Sequence, residues 1–204
     1  GAERTVGDCD DTRADVNPDA EEVCQNGLDD ECDGMADLCQ WDAVATLGET
    51  ANAWSGLDGD FAGAAIARAE DATGDGLPDL LVGMPYSDLH TYDGGAVAVL
   101  SGPIAVGGGR LADGQVDAIL LGTEQSGYSG SAVAAADFDG DGYSDIVTGA
   151  PEASSYIGAS GQVSVFYGPV DGVLRATDAD TNLTGRRLGD RAGRSLSAMG
   201  DVSG

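Results

Sequence analysis

Asp137-Phe-Asp139-Gly-Asp141-Gly142-Tyr143-Ser-Asp145 runs without a break into Ile146-Val-Thr-Gly-Ala-Pro151. Carboxylates stand at positions 1, 3, 5 and 9 of the first stretch, a Gly at position 6, and an apolar run with a Gly-Ala-Pro turn follows. Alternate spacing lets a tightly wound loop turn successive oxygens toward one centre. Gly142 permits the sharp bend, and Tyr143 can add its backbone carbonyl. Such all-oxygen, multi-carboxylate sets suit Ca²⁺ better than Mg²⁺, which keeps more of its water.

The stretch is repeated. Asp71-Ala-Thr73-Gly-Asp75-Gly76-Leu77-Pro-Asp79 precedes Leu80-Leu-Val-Gly-Met-Pro85, and Asp201-Val-Ser203-Gly204 begins a third copy. Asp71 to Asp137 is 66 residues and Asp137 to Asp201 is 64, so the units share one period. Each loop is preceded by a related phrase: Gly63-Ala-Ala-Ile-Ala-Arg-Ala-Glu-Asp71, Gly130-Ser-Ala-Val-Ala-Ala-Ala-Asp137, and Gly193-Arg-Ser-Leu-Ser-Ala-Met-Gly-Asp201. Alternating strands ending in Gly-Pro follow in both complete units, Gly95 to Pro103 and Gly161 to Pro169, and Ala118-Ile-Leu-Leu121 completes the first. About four short strands per unit, divided by Gly/Pro turns, predict an all-β fold of propeller type. No segment predicts a helix of three or more turns.

An EF-hand fails here, because its bidentate Glu at position 12 is replaced by Val82 and Thr148 and strands rather than helices follow. Ordinary Asp-Gly β-turns would explain one such loop, but not two at a fixed period, each before a strand. The first loop carries Thr73 where the second has Asp139, which predicts a weaker site.

These units resemble FG-GAP repeats, found in integrin α-subunits and many bacterial surface proteins. The resemblance rests on Phe61-Ala-Gly63 with Val82-Gly-Met-Pro85, and on Tyr128-Ser-Gly130 with Thr148-Gly-Ala-Pro151, over roughly Ala53 to Gly204. It implies propeller blades with a calcium loop between neighbouring strands: Asp71, Thr73, Asp75, Leu77 and Asp79 in one, Asp137, Asp139, Asp141, Tyr143 and Asp145 in the next, and the start of a third at Asp201 and Ser203.

Residues 1–40 read differently, as a small Asp/Cys-rich module, and the propeller-type segment is expected over 41–204, where Gly, Ala, Val and Leu take over. All four cysteines, Cys9, Cys24, Cys32 and Cys39, lie in the first module. An even, clustered count without Cys-x-x-Cys pairs favours two disulfides from an oxidising compartment over structural zinc, with three pairings open. Asp29, Glu31, Asp33, Met35 (through its carbonyl) and Asp37 repeat the alternate ligand spacing, and Asp8, Asp10 and Asp11 offer a weaker cation site. A module with so little apolar material needs such staples. It resembles the Asp/Cys-rich metal-binding repeat of bacterial surface proteins through Asp8-Cys-Asp-Asp11, Pro18-Asp-Ala-Glu-Glu-Val-Cys24 and Asn26-Gly-Leu-Asp-Asp-Glu-Cys-Asp-Gly34, with Asp19 where that family has Gly.

Composition narrows the function. Thirty-six acidic residues against nine basic ones, all Arg, give a net charge of −27, which repels nucleic acid and anionic lipid. Apolar residues make up 42% of the chain in strand-like runs, which argues against disorder. No apolar stretch is long enough to span a membrane, and the start lacks the basic and apolar regions of a secretion leader, so any such signal is expected to have been removed already. No catalytic constellation emerges: His90 is the lone histidine, and the carboxylates are accounted for as ligands. One His and the scattered Met35, Met84 and Met199 argue against copper. Asn182-Leu-Thr184 fits a glycosylation acceptor, and Tyr86, Tyr92 and Tyr156 could present a sugar-binding face.

The reading is a secreted or cell-surface, calcium-binding adhesion protein. Its expected partners are other protein chains, copies of itself or glycans; a lectin-like propeller and an enzyme-accessory domain are the alternatives. Propellers close with about four to eight blades. Two units and the start of a third therefore predict that these residues belong to a longer polypeptide or associate through open sheet faces.

Overall fold

The structure, a computed structural model, describes residues 54–102, 109–111, 116–153 and 159–198. Those residues form strands and turns and no helix. In chain order the strands are β1 (Trp54–Ser55), β2 (Ala65–Ala69), β3 (Asp79–Met84), β4 (Ala96–Leu100), β5 (Gly109–Arg110), β6 (Ala118–Leu121), β7 (Ala132–Ala136), β8 (Asp145–Ala150), β9 (Gln162–Phe166), β10 (Gly172–Arg175) and β11 (Thr181–Thr184).

Each repeat folds into an antiparallel meander. The first contributes β2, β3, β4 and β6, and the second β7, β8, β9 and β11, each paired in sequence order. Four strands per unit were expected from the Gly/Pro punctuation, and the two meanders fit blades of a propeller. Among the described residues they do not close into a ring. The first sheet also holds a fifth strand the sequence did not announce: β10, from the second repeat, pairs in parallel with β6.

The core lies between the sheets. Leu81, Val97, Val99 and Leu120 of the first meander meet Val133, Ile146 and Phe166 of the second in one buried cluster. The opposite face of the first meander (Val82, Met84, Ala98, Leu100 and Ile119) forms another cluster with Leu111 beside β5 and half-buried Trp54 of β1. Both faces of this sheet are thus covered. Consequently β4, expected to alternate between core and solvent, is buried at all five positions. The second sheet is covered less completely: Val163 and Val165 of β9 are only half-buried, and Leu183 of β11 is exposed.

The phrases that define the repeats have a steric reason. Gly130 has φ +86° and Gly193 has φ +84°, conformations that side chains disfavour. Their carbonyl oxygens press onto Gly83 and Gly149 of the preceding sheet, where a β-carbon would overlap them. The glycine of one repeat's Gly-x-Pro phrase is the notch that seats the next repeat. Gly83→Ala is therefore expected to destabilise the fold by about 2 kcal/mol, as overpacking of a tight contact does, measured as a lowered urea midpoint at unchanged slope. Wild-type stability in that variant would remove the seating argument.

Candidate metal centre

The loop 137–145 connects β7 to β8, so the sheet fixes both its ends. Asp137 folds the loop over its own carboxylate: Oδ1 accepts from Gly140 N at 2.6 Å and Oδ2 from Gly142 N at 3.0 Å. Both donors are glycines at positive φ, +81° and +96°, as the reversal requires. Asp139 accepts from Asp141 N at 3.1 Å, and Asp141 from Tyr143 N at 2.8 Å. Asp145, fully buried at the start of β8, accepts from Phe138 N at 2.7 Å and Gly168 N at 3.0 Å. That last bond ties the loop to the turn after β9.

Asp137, Asp139 and Asp145 bring one carboxylate oxygen each to within 4.8 Å of one another. Oxygens bound to a single ion at about 2.4 Å can lie no more than about 5 Å apart, so the three fit one Ca²⁺. Asp141 is not among them; its exposed carboxylate is turned to the Tyr143 amide. Desolvation first, and then repulsion from Asp141, Asp145 and Asp137, raises the Asp139 carboxyl above the ordinary carboxylate value, against the lowering effect of the Asp141 amide. A cation would relieve that repulsion.

The first loop, between β2 and β3, has the same wiring. Asp71 accepts from Gly74 N at 2.7 Å and Gly76 N at 3.0 Å, and Asp75 from Leu77 N at 2.8 Å. Asp79, nearly as buried as Asp145, accepts from Ala72 N and Thr73 N at 2.7 and 2.9 Å. Burial first, with the charge of Asp75 adding, raises its carboxyl, and those amide bonds pull the other way. Thr73 supplies a hydroxyl where Asp139 supplies a carboxylate, and among the described residues only the second loop gathers three acidic ligands. The two loops also touch. Ser144 N donates to the Asp71 carbonyl at 2.6 Å, Ser144 Oγ accepts from Glu70 N, and Val170 N donates to the Ala72 carbonyl at 2.8 Å. Spacing alone did not reveal this seam, since Ser144 sits at a position with no ligand role.

The remaining expected ligands, Asp8, Asp10, Asp11, Asp29, Glu31, Asp33, Met35, Asp37, Asp201 and Ser203, lie outside the described residues. So do Cys9, Cys24, Cys32, Cys39, Tyr156 and the boundary expected near Trp41.

A second surface feature occupies the repeat phrases themselves. Phe61, Tyr128 and Arg191 stand at one repeat position, all with left-handed φ of 53 to 56°. Tyr86 lies between the rings of Phe61 and Tyr128, at centroid distances of 4.7 and 4.8 Å. At the next seam Glu152 replaces Tyr86, and Arg191 Nε meets its carboxylate at 2.9 Å. Of the tyrosines read as a possible sugar face, Tyr86 belongs to this stack and Tyr92 is exposed on its own turn. His90 is exposed nearby. Phe61 and Tyr128 were legible only as repeat markers; the stack needs the seam geometry.

The FG-GAP repeat profile matches residues 62–100 and 129–166, and a profile described as "Putative metal-binding motif" matches residues 8–37. Human integrin alpha-IIb is 40% identical over 114 residues, half of this chain and 10% of that protein. Integrin alpha-5 of Xenopus laevis is 36% identical over 106 residues, 52% of this chain and 10% of that protein. Phosphatidylinositol-glycan-specific phospholipase D of Mus musculus is 34% identical over 120 residues, 55% of this chain and 14% of that enzyme. The chain thus spans about a tenth to a seventh of these relatives' lengths. It carries two integrin-like FG-GAP repeats and, ahead of them, a metal-binding motif.

Proposed function

We propose that this chain is part of an extracellular or cell-surface adhesion protein whose propeller-type repeats are rigidified by Ca²⁺ and present loops to a partner protein. The observation that carries the reading is the convergence of Asp137, Asp139 and Asp145 on one cation-sized space in a loop that also ties β8 to β9. Calcium there, and more weakly at Asp71, Thr73, Asp75 and Asp79, would fix the blade edges from which the turns project. The carbonyls of Leu77 and Tyr143 are the expected additional ligands. Similarity to integrin alpha subunits over the repeats supports protein interaction, and the acidic balance fits a role away from nucleic acid. No helix among the described residues is long and apolar enough to cross a membrane.

We read the chain as non-catalytic. The stretch shared with phospholipase D is only 14% of that enzyme and falls in repeats of the kind that integrins also carry. Residues 1–40 are proposed as a separate module, in which Cys9, Cys24, Cys32 and Cys39 form two disulfides beside a cation held by Asp29, Glu31, Asp33, Met35 and Asp37. Alkylation of the unreduced, denatured protein is expected to label no cysteine; labelled thiols would contradict the disulfides.

Beads coated with the chain should bind members of a panel of immobilised extracellular proteins in millimolar calcium and release them in EGTA. The Phe61→Ala/Tyr86→Ala double variant should weaken that binding about tenfold, a loss typical of exposed aromatic contacts, with an unchanged melting temperature. Binding indifferent to both calcium and these rings would overturn the reading. The exposed rings of Phe61, Tyr86 and Tyr92 favour a lectin-like propeller as the second reading. Saturable, sugar-specific signals on a glycan array would select it.

A further inference from the structure

The fifth strand of the first sheet follows a rule that the chain uses twice. β10 lies parallel to β6 with Leu174 opposite Leu120 and Arg175 opposite Leu121, and the next residue, Ala176, donates to the Leu121 carbonyl at 2.8 Å. At the other end of the described residues, β5 lies parallel to β1 with Gly109 opposite Trp54 and Arg110 opposite Ser55. There the next residue, Leu111, donates to the Ser55 carbonyl at 3.0 Å. The two pairs share their direction, their register and their place in the repeat, though β5 pairs over two residues and β10 over four. Trp54-Ser55-Gly56 and Leu120-Leu121-Gly122 stand before corresponding Phe61-Ala-Gly63 and Tyr128-Ser-Gly130 phrases, and both donor strands come from the connection that follows a repeat's third meander strand. The outermost strand of one sheet is therefore covered, in parallel, by a strand lent from the next repeat.

β11 is the third member of that series. Leu183-Thr184-Gly185 stands before Arg191-Ala-Gly193 as its counterparts do before theirs. Gly185 N bonds to the Gly161 carbonyl as Gly122 N bonds to that of Gly95, at 3.0 and 2.9 Å. Asp180 accepts from Tyr167 N at 2.8 Å as Asp117 accepts from Ser101 N at 2.8 Å. Yet β11 is the end strand of its sheet, and no described strand pairs with its outer edge. Burial differs as well: Leu120, packed against the second meander, is 1% exposed, and its counterpart Leu183, whose face no described meander covers, is 58% exposed.

We propose that the outer edge of β11 is a strand-acceptor site for the corresponding strand of a further FG-GAP repeat, entering in parallel. Its pattern is that of Gly172-Val-Leu-Arg-Ala176. By the register of β10 on β6, where Gly172 N donates to the Asp117 carbonyl at 2.9 Å, the acceptors are the carbonyls of Asp180, Asn182 and Thr184. Backbone bonds along such an edge supply the binding, as in other strand-addition complexes. A second copy of this chain is a poor donor, because its β5 and β10 are already paired within their own chain. The proposal is independent of calcium and of any adhesive partner.

The test is hydrogen exchange on the full chain with a synthetic peptide copying Val170–Asp178 at millimolar concentration. Exchange across residues 180–185 is expected to slow about fivefold or more, the mark of an edge converted to a paired strand. A peptide N-methylated at the residue copying Ala176, which removes the donor to Thr184, should give no slowing. No protection with the unmodified peptide, equal protection with the methylated one, or protection confined to 118–121 would each overturn the proposal. So would protection of β11 without peptide that grows with protein concentration, which would identify a second copy as the occupant.

Discussion

Calcium at roughly 10 mM is expected to raise the melting temperature of this chain by about 5–10 °C over its value in EGTA. Extracellular calcium modules bind at about 10⁻⁴ to 10⁻³ M, so that concentration can reach about a hundred times Kd. Binding to the folded form alone then stabilises by about 2.7 kcal/mol per site, and each kcal/mol moves a domain of this size by about 2–4 °C. Most of the shift should come from the 137–145 loop, where three carboxylates converge. Asp139→Ala is expected to remove most of it, and Thr73→Asp to enlarge the part due to the first loop. Acidity should oppose the ion. The raised carboxyls of Asp79 and Asp139 take up protons at higher pH than ordinary aspartates. Without calcium, these two groups favour the fold when protonated and lose that contribution as pH rises through their folded values. With calcium the sign reverses, since the ion requires them ionised. Melting curves in calcium and in EGTA should therefore converge below about pH 4 and separate as pH rises toward 7. A separation independent of pH, or no separation in millimolar calcium, would exclude these loops as the site.

Asp145→Ala is expected to be the most damaging single change in the second repeat, lowering stability by roughly 4 kcal/mol and the melting temperature by about 10 °C even in EGTA. Its carboxylate is fully buried and receives the amides of Phe138 and Gly168, so truncation strands two donors at once. Asp141→Ala, which removes an exposed carboxylate bonded within its own turn, should cost under about 1 kcal/mol. The contrast separates architecture from ion binding, because spacing alone ranks both as equal ligands. Equal losses in the two variants, measured by urea denaturation in EGTA, would overturn the distinction.

That contrast also marks what can be read from residues in a row. The carboxylate spacing and its period located both loops, and the Gly/Pro turns located the strands of each meander, because both depend on local backbone geometry. β1 and β5 went unread: two residues each, they become strands only by pairing with one another. β10 was missed for a related reason. Gly172-Val-Leu-Arg175 has no alternating pattern, and its partner lies in another repeat. The sequence could not distinguish Asp145 from Asp141 because depth comes from the neighbouring sheet. It likewise left the aromatic stack unseen, since Tyr86 and Tyr128 meet only across a seam.

The lent strand has a consequence for timing. A ribosome delivers β6 well before β10, so the first sheet is left with a raw edge while the chain is still growing. Only after Ala176 has emerged can that edge be sealed. Synthesis thus imposes a waiting interval in which Ala118-Ile-Leu-Leu121, an apolar and uncharged strand, is open to mispairing with other nascent chains. Slow translation between the two repeats would lengthen that interval, and a stop introduced after Pro169 would make it permanent.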